Sequence, residues 1–137
     1  MNIKLFRDDA LVPTKSHSTD AGYDMYVLDD FTIKSLETVC LGTGVGFQLE
    51  EGSAGFFIPR SSTEKKGIIC QMAATDAGYT GETHLIVTNC SNNVYEYKRG
   101  DRIMSFIAVK LINEPLTVVS EFPKSERGDS GLGSSGK

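Results

Sequence analysis

Residues 38–49 read TVCLGTGVGFQL. Apolar and β-branched side chains fill the run, no helical period passes through it, and Gly42, Gly44 and Gly46 interrupt it. That is the signature of extended chain broken by turns or close backbone approaches. The same pattern continues in both directions. Upstream, residues 3–6 alternate, and residues 24–28 and 31–33 flank a turn at Asp29-Asp30. Downstream, residues 55–58 form an apolar run that stops at Pro59, and residues 85–88, 102–111 and 116–119 complete the strand signals. Turn formers separate them at Glu50-Glu51-Gly52, Ser91-Asn92-Asn93 and Arg99-Gly100-Asp101. One short helix is expected, capped by Ser61 or Ser62 and ended by Gly67. Many short strands at regular spacing predict an all-β sandwich or barrel.

The 137 residues suit one domain with one core, with no internal repeat and no linker before residue 124. A net charge of −4 argues against a nucleic-acid partner, which calls for a basic face. A small anion held by a few local cations remains compatible with it. No run is long and apolar enough to span a membrane, and residues 1–9, MNIKLFRDD, lack the apolar stretch of a signal peptide. Cys40, Cys70 and Cys90 are odd in number and have no CxxC spacing. They read as reduced, half-buried strand residues, and the expected location is cytoplasmic, or the host cytoplasm for a viral or phage gene. Only His17 and His84 could join them on a metal, and neither has zinc spacing.

Residues 125–137 hold four glycines and four serines and almost nothing apolar. Residues 131–137 spell G-x-x-x-x-G-K, but a phosphate loop needs a strand leading in and a helix leading out. A flexible tail is the expectation from composition.

Five stretches put glycine, aspartate, arginine and serine beside strand ends: Ala21-Gly22-Tyr23-Asp24-Met25, Pro59-Arg60-Ser61-Ser62, Thr75-Asp76-Ala77-Gly78-Tyr79-Thr80-Gly81-Glu82, Gly100-Asp101-Arg102-Ile103 and the closing residues 127–136. Each has a plain structural reading as a strand start, a helix cap, a turn, a surface ion pair or a tail. In this order and spacing they resemble the five motifs of the trimeric dUTP diphosphatases (dUTPases), over residues 13–136.

The resemblance implies a distorted jelly-roll of the β-clip type, with a β domain over residues 1–124 and a flexible C-terminal lid over 125–137. It implies a homotrimer with active sites at subunit interfaces and Mg²⁺-dependent hydrolysis of dUTP to dUMP and pyrophosphate. That reaction keeps uracil out of DNA and supplies dUMP for thymidylate synthesis. Asp24 would hold the magnesium through water, since magnesium keeps much of its water shell. Arg60, Ser61 and Ser62 would bind the α and β phosphates, with Ser61 polarising the departing side. Asp76 would bond the 3′-OH and act as general base toward the attacking water. Tyr79 would lie flat on the deoxyribose and exclude a 2′-OH. The backbone of residues 70–78, Met72 among them, would read uracil. Arg127 would pair with the γ-phosphate, and Leu132, Gly133, Ser134 and Ser135 would close over the substrate.

The chain departs from the family pattern at several points. Ser62 stands where many members have glycine, and Gln71-Met72-Ala73-Ala74-Thr75 replaces the usual small apolar lead-in. Met104-Ser105 replaces Ala-Gln, and Leu132 replaces a stacking Phe, a role that Tyr95 or Tyr97 could take. Two other functions share the fold. A dCTP deaminase needs a glutamate where this chain has Ile86, which cannot carry protons. A regulatory or binding protein could keep the fold with reduced catalysis. Retention of Asp24, Arg60, Ser61, Asp76, Tyr79 and Arg127 favours the hydrolase.

Overall fold

The computed structural model describes residues 1–128. Every strand pair within it is antiparallel. The central sheet has four strands in the order β2 (Tyr23–Tyr26), β11 (Arg102–Lys110), β6 (Ser53–Pro59) and β8 (Ala74–Asp76). A three-stranded sheet runs β4 (Thr38–Gly42), β9 (His84–Asn89), β7 (Ile68–Cys70). Two ribbons complete the fold: β1 (Asn2–Leu5) with β5 (Val45–Gln48), and β3 (Phe31–Ile33) with β10 (Tyr95–Tyr97). The one helix of the described residues, α1, is Ser61–Glu64.

The glycines of residues 38–49 divide one strand signal between two sheets. β4 pairs with β9, the chain turns at Thr43-Gly44, and β5 leaves to pair with β1. Gly44 has φ 66, which a side chain rarely tolerates. The buried Thr43 hydroxyl lies 2.9 Å from the Thr83 carbonyl oxygen and 3.0 Å from its hydroxyl, so this corner leaves no orphaned polar groups.

Three aromatic rings lock the central sheet to β5. Phe106 stacks on Phe47 at 3.8 Å between centroids, and Phe57 packs beside both. The Phe106 ring lies directly over Gly55, where an added Cβ would sit 2.2 Å from Cζ. The apolar run at residues 55–58 is therefore set by what it must leave room for as well as by what it buries.

Several sequence expectations need correction. The strand expected at residues 116–119 does not form. Among the described residues no strand follows β11 and none pairs with residues 116–119, and Leu116 and Val118 are essentially fully exposed. Neither Ser61 nor Ser62 caps α1. The N-cap is Arg60, in extended conformation, with no side-chain capping bond. The helix is held instead by the Thr63 hydroxyl, which donates to the Ile103 carbonyl at 2.9 Å. Gly67, at φ 77, ends the turn as expected. The cysteines are all free, but only Cys70 is buried, and Cys40 and Cys90 are exposed. Three-residue strands β7, β8 and β10 carry too few residues to show a period.

Gly55→Ala should destabilise the fold by about 1–3 kcal/mol, because the methyl group must displace the Phe106 ring from its stack on Phe47. Thermal unfolding followed by circular dichroism should show a melting temperature several degrees lower.

Candidate active site

A single carboxylate organises the polar end of the central sheet. Asp24 sits in the middle of β2 and is 8% exposed. Its Oδ2 accepts from Arg102 Nη1 at 2.9 Å and lies 3.2 Å from Arg60 Nη1. Its Oδ1 accepts from the Ser105 hydroxyl at 3.3 Å. These contacts follow from the strand register, which sets Ser105 opposite Asp24 on one side and opposite Ile58 on the other. Arg60 is two residues beyond Ile58, where Pro59 ends the strand and α1 begins. Gly22 is required for this closeness, since a Cβ there would lie 2.9–3.0 Å from Ile107, the Phe106 carbonyl and Ser105.

Around Asp24 opens a cleft of about 530 Å³. Arg60, Ser61 and Ser62 line one wall, and Ser16, His17 and Asp20 line another, with Ser105 beside the carboxylate. The first N–H groups of a helix have no intrahelical partner, so the start of α1 adds backbone donors to the serine hydroxyls. The site residues expected from the sequence at the phosphate end, Asp24, Arg60, Ser61 and Ser62, therefore converge. Sequence reading missed the contribution of Ser16, His17 and Asp20. The signal was the polar run of residues 15–20 immediately before Ala21-Gly22-Tyr23-Asp24.

Asp76 and Tyr79 lie elsewhere. Asp76 ends β8, opposite Ala54 near the start of β6. Its carbonyl accepts from Tyr79 N–H at 3.0 Å, closing a turn. The Tyr79 ring folds back across the hairpin and its hydroxyl donates to the Glu82 carbonyl at 2.7 Å. Gly81 makes this possible, because a Cβ there would meet the ring within 2.5–3.0 Å. The ring is thus held flat while 46% of the residue stays exposed. Met72, between β7 and β8, is 69% exposed.

The two groups are far apart within one chain. Asp24 and Asp76 stand on outer strands of the four-stranded sheet, three strand spacings apart, which is about 14 Å. Along the strands, Ile58 and Ala54 mark their levels, about 13 Å apart. Arg127 falls in a turn closed by Gly128 N–H on Ser125, and Leu132, Gly133, Ser134 and Ser135 lie outside the described residues. No helix among the described residues is long and apolar enough to cross a membrane.

The donor set fits a magnesium ion held through water. No cluster of three His, Cys, Asp or Glu side chains exists among the described residues, so a fully protein-built cage is absent there. Magnesium does not need one. Asp24 keeps acceptor capacity on Oδ1, whose one partner is the long Ser105 bond.

A four-stranded antiparallel sheet that ends in arginines, serines and a braced carboxylate defines a β-rich protein with a polar cleft of the residue types that suit phosphate groups. The family model for dUTPase matches residues 8–136. Two yeast deoxyuridine 5′-triphosphate nucleotidohydrolases align along almost the whole chain. That of Candida glabrata is 34% identical over 100% of this chain and 96% of its own length. That of Saccharomyces cerevisiae is 35% identical over 99% and 94%. The dUTPase of Staphylococcus bacteriophage 80alpha, solved as a Gly-to-Ser mutant with dUpNHpp, superposes with a TM-score of 0.93 at 27% identity, covering 99% of this chain and 98% of that one. The chain belongs to the dUTPase family, with its jelly-roll-like fold, and its activity is that of a dUTP diphosphatase, a hydrolase of nucleotide metabolism.

Removing the hub should loosen this end of the sheet. Asp24→Ala leaves the guanidiniums of Arg60 and Arg102 side by side without a counter-charge, at a cost of about 1–2 kcal/mol after solvent screening. The melting temperature should fall, and added salt should narrow the gap to the native protein by screening the repulsion.

Proposed function

We propose that dUTP is cleaved at composite sites, each built from the Asp24–Arg60 cleft of one chain and the Asp76–Tyr79 hairpin of a neighbour in a homotrimer. The observation that carries this reading is the separation set by the central sheet. A base acting at the α-phosphate and groups holding the adjoining phosphates must lie within a few ångströms of one another, and one chain keeps them much further apart. The stretch after β11 supports assembly. Ile112, Leu116, Val118 and Phe122 are each at least 87% exposed in the single chain, and a neighbouring copy would cover them.

In the chemistry we infer, the exposed Asp76 carboxylate accepts a proton from a water molecule as that oxygen forms a bond to the α-phosphorus. The bond from the α-phosphorus to the bridging oxygen breaks, and pyrophosphate leaves with dUMP as the other product. Arg60, Ser61 and Ser62 take up the charge that develops on the departing side. Magnesium, when bound, neutralises phosphate charge, and Asp24 would orient its water shell. Tyr79, fixed over Gly81, presents its ring to the deoxyribose and leaves no volume for a 2′-OH. Met72 and the backbone of residues 70–78 would read the uracil edge, where an unmatched donor or acceptor costs more than a lost methylene. Arg127 and residues 132–135 would close over the triphosphate. The cysteine pattern suits a reducing, cytoplasmic setting.

A regulatory role beside catalysis has one specific support. The similar 80alpha dUTPase, 27% identical, is described among phage dUTPases that control transfer of virulence genes by a G protein-like mechanism.

Asp76→Asn should lower kcat for dUTP about a thousandfold. Binding of dUTP measured by calorimetry should persist, because Asn keeps a hydrogen bond to the 3′-OH. Near-normal turnover in a folded variant would remove Asp76 from the role of base. Tyr79→Ala should raise kcat/KM for UTP relative to dUTP about tenfold. If that ratio does not move, the ring is not the 2′-OH gate.

A further inference from the structure

The loop that precedes Asp24 forms the second wall of the cleft and is built around Asp20. Thr14 bridges to Asp24 and the chain returns at Tyr23, so the intervening residues lie beside the braced carboxylate. Asp20 Oδ2 accepts from the His17 N–H at 2.8 Å, and the Asp20 N–H donates back to the His17 carbonyl at 3.1 Å. Lys15 Nζ donates to the Asp20 carbonyl at 2.6 Å and stands 4.8 Å from the centre of the Tyr23 ring. The hydrogen bond donated by the His17 backbone N–H holds the Asp20 carboxyl below its usual range, so the group stays ionised. Asp20 Oδ1 then faces His17 Nδ1 at 3.5 Å. The His17 side chain is 79% exposed and lines the cleft.

An imidazole with one nitrogen turned to a carboxylate leaves the other for a second partner. Only the imidazolium donates from both nitrogens. It would then join Asp20 on one side to an anion on the other. The charge balance of the cleft calls for such a group. Arg60 and Arg102 both engage Asp24, and Asp20 adds a second carboxylate. Among the described residues that line the cleft, Arg60 is the one permanent cation against the carboxylates Asp20 and Asp24, and His17 is the side chain there that can add a second positive charge toward a phosphate. The charged groups that share the cleft with His17 are Asp20 from its own loop, Asp24 from β2 and Arg60 from the end of β6, with Lys15 held on the Asp20 carbonyl and Arg102 of β11 on Ser16 and Asp24 behind them.

We propose that His17, braced by Asp20, is a further substrate-binding residue that engages a phosphate of dUTP as the imidazolium. The inference rests on the dUTP reading above, with the triphosphate in the Asp24–Arg60 cleft. The test is kcat/KM for dUTP at saturating magnesium, at about pH 6.5 and about pH 8.5, for the native trimer, His17→Ala and His17→Lys. His17→Ala should lose about fivefold at the lower pH, through KM with kcat nearly unchanged, and less than twofold at the higher pH. His17→Lys, charged at both, should match the native enzyme at the lower pH and exceed it at the higher. Equal loss at both pH values with no recovery in His17→Lys would mark a loop-packing role and overturn the proposal, as would native kinetics in His17→Ala. Absence of dUTP turnover by the native protein would overturn the dUTP reading itself, and the phosphate role with it.

Discussion

The antiparallel register of β6 between β11 and β8 is the constraint on which the rest depends. It fixes Asp24, Ser105 and Arg60 at one end of the central sheet and Asp76 at the other. Sliding β6 by one residue would move Phe57 off the core face and take Gly55 from beneath Phe106. The register is therefore held by the aromatic stack, and the stack is possible only because residue 55 has no side chain. Packing in the core and the spacing of the polar groups are one arrangement.

At the polar end, burial and charge act together. A carboxylate 8% exposed would be costly alone. Two guanidiniums and a hydroxyl offset that cost, and in return Asp24 holds Arg60 in place beside the cleft. Arg102, from the neighbouring strand β11, is a positioning residue in this scheme. It grips both Asp24 and the Ser16 hydroxyl at 3.2 Å, and so ties the loop of His17 and Asp20 to the sheet.

Much of this was legible in the sequence where a local rule suffices. The run at residues 38–49 announced extended chain interrupted at its glycines, though not that its two halves join different sheets. Pro59 and Gly67 marked the bounds of the helical turn. Asp24, Arg60, Ser61 and Ser62 could be grouped because their motifs follow the family order, and they do line one cleft. What was not legible is what depends on pairing across the sheet. β8 exists because β6 lies beside it, and its three residues carry no period. The Asp24–Arg60–Arg102 hub joins Asp24 to residues 36 and 78 positions away, and no local pattern announces it. Residues 116–119 show the converse error. Their β-branched composition reads as a strand, but a strand needs a partner and none pairs with them among the described residues.

On the proposed arrangement, a working site takes its phosphate cleft from one chain and its base from another. Mixed trimers test it directly. Arg60→Ala and Asp76→Asn subunits, each inactive alone, are unfolded together in equal amounts and refolded. A composite site regains both native groups where the two kinds of subunit meet in the right order, and roughly a quarter of native dUTP turnover should return. If all the groups come from one chain, no mixture can restore an intact site, and a refolded mixture as inactive as its components would contradict the account.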